Sequence, residues 1–165
     1  MSMADALACA IADAAAGALP DPAVALRHVA APGFGGTALF VGTIRDLNHG
    51  RAVVGVSYDL YDALALNVFR RACEEAAAAF GPAIRLYVAH ARGRLAVGEV
   101  AVVVAAGTPH RDEAFRACRA VIEAVKHQAP IWKQEHYADG DSAWSEGCSL
   151  CGGDAHAAPV PAGPA

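Results

Sequence analysis

The sequence is poor in lysine: it has only Lys126 and Lys133, against eleven arginines. It also lacks an excess of positive charge, since its formal net charge is -4 at pH 7. Such a chain carries no electrostatic footprint for nucleic acid or for an anionic membrane surface. The two lysines lie seven residues apart, so the question is why one short stretch holds both.

Segments that would direct the chain to or across a membrane are missing as well. No apolar run reaches the roughly 20 residues that a membrane-spanning helix needs. The first twenty residues are apolar but have no positively charged start, so we expect no signal peptide. The five cysteines are odd in number and scattered, which is typical of a reduced cytoplasmic protein rather than of a disulfide scaffold.

Large apolar residues are scarcer than the overall hydrophobic share of the sequence suggests. The hydrophobic share is 55%, but 41 of those residues are alanine, whose burial contributes little free energy. The core must rest on Val, Ile, Leu, Phe and Trp, and we expect a single domain over residues 1–147. From residue 148 to residue 165 the chain is rich in Gly, Ala and Pro without periodicity, which predicts a disordered tail.

A phosphate-binding loop and a complete set of metal ligands are also absent from the sequence. The Gly-rich run at 33–36 precedes a strand pattern, whereas a phosphate-binding loop must precede a helix. Cys148 and Cys151 form one CxxC pair without the second pair typical of zinc sites. We expect no metal and no cofactor. A metal or redox protein that uses these two cysteines stays as an alternative.

Both strand and helix patterns are present along the chain. Alternation and continuous apolar runs predict strands at 37–44, 52–60, 83–91, 100–107 and 131–138, with a weaker one near Leu7. Helical spacing predicts a short helix that begins at Pro22 and long helices at 61–80 and 112–128. Because strands and helices do not alternate strictly, we expect an α+β domain of two layers, with a mixed sheet packed against the two long helices.

Some predictions concern single side chains and one link. Helical spacing places Leu64 and Phe115 on buried faces, and the size of Trp132 predicts a core position. Residues 92–99 are rich in turn formers, which predicts a link between two strands. Pro130 disfavours a helical conformation at the residue before it, so the second long helix should end just after Lys126.

Polar side chains stand at the ends of the predicted elements. Arg45 follows one apolar strand, His110 and Arg111 follow another, and Lys126 and Lys133 flank a helix end. If the strands are neighbours, these groups would converge in a cationic pocket that suits phosphate or carboxylate. An amine, unlike a guanidinium, can lose its proton and act as a nucleophile or base. The alternative, that both lysines are surface residues, stays open because a catalytic role needs geometry.

The same regions carry a resemblance to a known family. It lies in the stretches FVGTIRDLNHG, YDLY, LAVGEVAVVVAAGTPHRDEAFRACRAVIEAVKHQAPIWKQE and DGDSAW, within about Gly36 to Trp144. They resemble the large, catalytic subunit of molybdopterin synthase. The resemblance implies an α/β hammerhead fold and a homodimer within a heterotetramer. It also implies a partner, the small ubiquitin-like sulfur carrier, whose thiocarboxylate tail delivers sulfur to cyclic pyranopterin monophosphate to make the dithiolene of molybdopterin.

The resemblance also implies the residues of the site. Lys126 is similar to the family's catalytic lysine, and Lys133 to its second essential lysine. Both would also contact the substrate, together with Thr43, Ile44, Arg45, His110, Arg111, Gln134 and Glu135. A homologue that binds the carrier without full turnover stays as the alternative function. It rests on the absence of Lys or Arg after Lys133, where some family members place an arginine.

Overall fold

The structure is a computed structural model that describes residues 3–145, with only the backbone of Met3 and Ala4. The predicted tail at 148–165 lies outside the described residues. The helices are α1 (Met3–Ala6), α2 (Pro22–Val29), α3 (Asp62–Phe80) and α4 (Arg111–Gln128), with a 3-10 turn at Ala14–Ala16. The strands are β1 (Leu7–Asp13), β2 (Gly36–Thr43), β3 (Leu47–Asn48), β4 (Arg51–Leu60), β5 (Arg85–Ala96), β6 (Val100–Thr108), β7 (Ile131–Tyr137) and β8 (Ser142–Trp144).

The strands of residues 3–145 form one mixed sheet, and two long helices pack on it, which confirms the predicted α+β class. The main order is β2-β6-β5-β4-β7-β8, with β1 beside β5 and β3 beside β4. β1 runs parallel to β5, and the other pairings within the described residues are antiparallel. β5 serves two sets of partners: its first half pairs with β1 and β6, and its second half pairs with β4.

The main core lies between the sheet and the two long helices. Successive side chains of β5 point to opposite faces of the sheet. Leu86 and Val88 face α3 and α4, where they pack in one cluster with Phe69. Tyr87 and Ala89 face the other way and pack with α2. The long helices are the predicted second layer, and α2 covers part of the opposite face of the sheet.

Helix α2 begins where the sequence predicts. The Asp21 carboxylate accepts a hydrogen bond of 2.8 Å from the backbone N–H of Ala23, and Pro22 takes the first helical position. The end of the helix lies directly on β6. A Cβ added at Gly107 would lie 2.1 Å from the carbonyl oxygen of Val29, so a side chain at this position would push α2 off the sheet.

The predicted turn-rich link at 92–99 is wrong for residues 92–96 and confirmed for residues 97–99, which connect β5 to β6. Residues 92–96 continue β5 and pair with β4, with Ala96 opposite Gly55. Gly93 has a positive φ of 94°, and a Cβ added at Gly55 would lie 2.8 Å from the carbonyl oxygen of Leu95. These glycines mark a bend and a close approach of two strands, not the end of a strand.

Three large side chains that the sequence places inside the protein are exposed instead. Leu64 on α3 is 47% exposed, Phe115 on α4 is 65% exposed and Trp132 on β7 is 40% exposed. The neighbouring alanines, Ala65 and Ala114, are buried in place of the two helical residues. Most of the rest of each predicted face is buried as the spacing predicts, including Val68 on α3 and Val121 on α4, so only the edge of the face differs. An alanine-rich face lets the helix lie close to its neighbours and leaves the larger side chain outside.

Candidate active site

A cavity of about 480 Å³ opens at the edge of the sheet where β2 ends and β6 begins. Arg45, Lys126 and Lys133 all line it, and we call it the cationic cavity. The three side chains come from different elements: the segment after β2, the last turn of α4, and β7. For these three residues the structure shows the convergence that the sequence predicts.

Local geometry explains how the chain after β2 reaches the cationic cavity. The pairing of β2 with β6 shifts register between Gly42 and Thr43, and such bulges re-aim the residues that follow. A Cβ added at Gly42 would lie 2.6 Å from a side-chain carbon of Val102. Ile44 is buried in a separate apolar cluster, while Thr43 and Arg45 on either side of it both line the cavity.

The two lysines reach the cavity from consecutive elements. Ala129 takes an extended conformation, with φ −76° and ψ 140°, because Pro130 disfavours the helical region before it. The helix ends at Gln128, the last residue of the helix predicted from spacing and two residues after Lys126, and β7 follows almost at once. Lys126 in the last turn of α4 and Lys133 early in β7 therefore line one space.

The cations of the cavity differ in their partners. The Lys133 ammonium lies 2.6 Å from a carboxylate oxygen of Glu135. Within residues 3–145, neither Arg45 nor Lys126 forms an ion pair with a carboxylate. Two of three cations are thus not neutralised by that part of the chain. Such an arrangement favours binding of an anion such as phosphate or carboxylate.

Glu135 lies behind Lys133 and is only 3% exposed. Its carboxylate accepts hydrogen bonds from the Tyr137 hydroxyl, at 2.9 Å, and from the Asn48 amide. Burial alone would raise the pKa of Glu135, but the hydrogen bonds from Lys133, Tyr137 and Asn48 outweigh it and lower the pKa. The group therefore stays ionised and holds the Lys133 ammonium. With Ile44 it lines a small side chamber of about 40 Å³ beside the cationic cavity.

The structure adds Tyr58 and His90 to the wall of the cationic cavity. Their rings meet edge to face, with centroids 4.9 Å apart and planes at 82°. Burial, assisted by the charge of Glu135, raises the pKa of Tyr58 to about 12, so its hydroxyl keeps its proton. The sequence does not identify either residue as part of the site, because both lie inside strands and not at element ends. The one available signal was strand alternation, which places Tyr58 on the same face of its strand as Val56.

Gln134 is placed away from the cavity. Lys133 and Glu135 share one face of β7, so Gln134 between them points to the other face. There its amide donates a hydrogen bond of 3.0 Å to the Ser142 hydroxyl.

His110 and Arg111 lie at the far end of the molecule from Lys126. They stand at the start of α4 and Lys126 in its last turn, which separates Arg111 and Lys126 by about 22 Å along the helix. The backbone of the pair packs against Gly36 at the start of β2, where a Cβ would lie 2.8 Å from the Arg111 nitrogen. Within one chain, the pair does not join the cationic cavity.

Other chemistries have little support in the described residues. Cys9, Cys73 and Cys118 are free thiols. Across residues 3–145, no group of three or more His, Cys, Asp or Glu side chains is arranged to hold a metal ion. In the same range, none of the helices is long and apolar enough to cross a membrane. Cys148 and Cys151, the basis of the metal or redox alternative, lie outside the described residues.

Comparisons with known proteins agree on one family. The sequence profile of the family described as MoaE protein matches residues 16–128. A molybdopterin synthase catalytic subunit of Synechococcus elongatus is 48% identical over 118 residues, which cover 72% of each chain. A molybdopterin synthase structure from Staphylococcus aureus aligns with a TM-score of 0.68 at 28% identity, over 72% of this chain and 85% of that one.

A fourth likeness concerns the fold alone. A structure from Helicobacter pylori, described as a complex of subunits 1 and 2 of molybdopterin-converting factor, aligns with a TM-score of 0.66. The alignment covers 86% of this chain and 90% of that chain, at 24% identity. The arrangement of strands and helices described above is therefore shared with solved structures.

Proposed function

The chain belongs to the MoaE protein family, and we propose that it is the catalytic subunit of a molybdopterin synthase. Sulfur passes from the thiocarboxylated C-termini of two small ubiquitin-like carriers, one atom from each, to cyclic pyranopterin monophosphate, which becomes the dithiolene of molybdopterin. The observation that carries the proposal is the convergence of Arg45, Lys126 and Lys133 on one cavity. The carrier and the catalytic subunit work as one assembly.

The charge of the cavity suits the two reactants, because both are anions. The thiocarboxylate and the cyclic phosphate repel each other, and fixed cations between them lower that repulsion and stabilise charge that develops during transfer. Arg45 offers a planar fork for phosphate oxygens. Lys133 offers an ammonium already held in place by Glu135. We assign anion binding to these two residues, with Thr43 beside them.

Lys126 is the residue to which we assign proton transfer. It lines the cavity without a carboxylate partner among residues 3–145, so no carboxylate in that range holds its amine away from a substrate or a water in the cavity. The thiocarboxylate sulfur bonds to a carbon of the pterin side chain as the bond from that carbon to an oxygen of the cyclic phosphate breaks, and the carrier is then attached through a thioester. Water must then cleave this thioester, which leaves sulfur on the pterin and returns the carrier as a carboxylate. Lys126 is placed to move the proton of that water.

His110 and Arg111 belong to the site only if a second copy of the chain supplies them, and we propose a homodimer on this ground. β2 pairs with β6 on one side and is an edge strand of the described sheet. The edge carries partly exposed apolar side chains at Leu39, Phe40 and Val41. An unpaired apolar edge of this kind favours association.

The geometry of such a dimer would complete the site. Around a twofold axis, two antiparallel strands place the end of one beside the start of the other. At the start of β2, Gly36 packs against the backbone of His110 and Arg111. At the end of β2, Thr43 lines the cationic cavity. Pairing of two β2 edges would therefore bring the pair from one protomer toward the cavity of its partner. There Arg111 would add a third anion-binding group and His110 a second proton carrier.

The cytoplasm is the compartment we propose for the protein. Thiols remain reduced there, and the three cysteines of the described residues are free.

Reconstitution tests the function directly. The purified chain is mixed with thiocarboxylated carrier and cyclic pyranopterin monophosphate, and the dithiolene product is measured together with carrier binding. We expect product from the wild-type protein and none from Lys126→Ala. Carrier binding without any product would contradict the proposal and identify a carrier-binding homologue instead.

A further inference from the structure

His90 is a buried polar residue in the wall of the cationic cavity that none of the assignments above uses. It lies in β5, is 6% exposed and lines the cavity beside the three cations. Tyr58 holds the plane of its ring through the edge-to-face contact. Because the ring is held in this orientation, the direction in which its nitrogens can form hydrogen bonds is also fixed.

The hydrogen bond of His90 determines which ring nitrogen carries the proton. Nδ1 lies 2.8 Å from the carbonyl oxygen of Ala91. A carbonyl can only accept, so Nδ1 is the donor and Nε2 of the neutral ring keeps its lone pair. Nε2 makes no hydrogen bond to any residue in 3–145, and it is not fully buried, so a ligand can reach it. His90 lines the cationic cavity and neither of the two smaller or shallower ones described, and on this ground we assign the accessible side of Nε2 to that cavity.

The ring also stays neutral at neutral pH. Burial lowers the pKa of His90 to about 4, and the hydrogen bond to Ala91 opposes this shift without cancelling it. At neutral pH the imidazole is therefore an acceptor beside Arg45, Lys126 and Lys133, which can donate. The hydroxyls of Thr43, Tyr58 and Ser145 in the same wall can both donate and accept, so they discriminate less between ligands.

We propose that His90 orients the substrate by accepting, at Nε2, a hydrogen bond from an N–H group of its pterin ring. The proposal rests on the function assigned above and deepens it. The cations hold the anionic groups, but a phosphate or thiocarboxylate needs no acceptor. An acceptor in the same cavity selects a ligand that carries a donor edge as well as anionic groups, and the aminopyrimidinone edge of a pterin is such an edge.

Nitrogen-15 NMR of the ring tests the proposal on the wild-type protein. The free protein should show a neutral His90 with its proton on Nδ1. Cyclic pyranopterin monophosphate should shift the Nε2 resonance, whereas inorganic phosphate at saturation should leave it in place. The exposed His127 provides a reference ring in the same spectrum. A proton on Nε2, or an Nε2 resonance unchanged by saturating substrate, would overturn the proposal.

Two variants separate the acceptor from the shape of the ring. His90→Gln keeps an acceptor oxygen, and His90→Phe fills the space without one. We expect His90→Phe to raise KM about tenfold, as for one lost hydrogen bond to a buried group, with a smaller effect on kcat. His90→Gln should stay within about threefold of wild type. Carrier affinity should be unchanged in both. His136→Phe, on the opposite face of β7 where the ring bonds Ser57, is the matched control and should leave KM unchanged.

The outcomes distinguish this inference from the proposed function. If the wild-type protein makes no dithiolene, the function fails, and the NMR titration alone decides on His90. If the wild type turns over and His90→Phe has the same KM, the function stands and the role of His90 is wrong. Circular dichroism checks that each variant folds, and the wild-type titration stays decisive if His90→Phe does not.

Discussion

Lys133 and Glu135 lie on the same face of β7 and form an ion pair, with 2.6 Å between the ammonium nitrogen and a carboxylate oxygen. The second carboxylate oxygen is held by Tyr137 and Asn48. Both oxygens of Glu135 are thereby bound within the protein, and we propose that Glu135 positions Lys133; its contact with substrate, which the resemblance implies, stays a prediction. Lys133, which is only partly buried, is the member of the pair that meets the cavity.

Glu135→Gln should impair both stability and turnover. It removes the counter-charge that orients Lys133, and it leaves one or more buried partners unpaired, which costs about 1–3 kcal/mol of unfolding free energy. We expect kcat/KM to fall about tenfold or more, measured in the reconstituted assay beside urea unfolding. Asp139→Asn is the control, because its partner Arg51 also pairs with Asp141 at the surface. If both variants behave alike, the Lys133–Glu135 pair has no special role.

The sequence predicts the cations of the cavity better than the wall around them. Arg45, Lys126 and Lys133 follow strands or close a helix, and element ends can be read from apolar patterns and from Pro130. The order and direction of strands cannot be read in the same way. Because β2 and β6 are antiparallel, a residue after the end of one lies far from a residue after the end of the other. His110 is therefore distant from Arg45 within one chain.

The rest of the wall depends on tertiary structure. Tyr58 and His90 meet only because β4 pairs with the second half of β5, in a stretch whose glycine suggests a turn. The exposure of two helix residues has a different cause. Alanine carries little burial energy, so the alanines beside Leu64 and Phe115 do not fix the edge of a buried face to within one residue, and both large side chains point outward.

Lys126→Arg distinguishes proton transfer from charge alone. Arginine keeps the positive charge but stays protonated at working pH, so we expect dithiolene formation to fall about a hundredfold or more. Lys126→Ala should fall at least as far. Carrier binding should persist in both variants, measured by calorimetry. Full activity in Lys126→Arg would exclude the proton-transfer role and leave an electrostatic one.

Mixed dimers test whether His110 and Arg111 act across the interface. Lys126→Ala and Arg111→Ala chains are co-expressed with different tags, and the hybrid dimer is purified on both. If the pair acts on the partner's cavity, one of the two sites in each hybrid is intact and about half of the wild-type rate returns. Each variant alone should be inactive. An inactive hybrid would place Arg111 in the same functional unit as Lys126 of its own chain.

Val41→Lys should disrupt the proposed dimer at the β2 edge. It places a charge on an edge strand whose apolar side chains we expect to be covered by a second copy, and a single lysine at such an edge blocks pairing. Light scattering should report a monomer with lower activity than wild type. Val54→Lys is the matched control, since Val54 is similarly exposed but lies on β4, three strands away in the sheet. If both variants remain dimers, the dimer interface does not lie at the β2 edge.

His90 should make the protein sensitive to acid in a defined pH range. Its pKa is about 4 in the folded protein and 6.5 ordinarily, so between these values the unfolded chain binds a proton that the folded chain does not. Stability is therefore retained above about pH 6.5 and lost as the pH falls toward 4. Between about pH 7.5 and pH 5, wild type should lose about 2 kcal/mol more unfolding free energy than His90→Gln. Urea titrations at the two pH values measure the difference, and contributions common to both proteins cancel. Equal losses would mean that folding does not lower the pKa of His90, so the ring would take up a proton near pH 6.5 in the folded protein as it does in the unfolded chain.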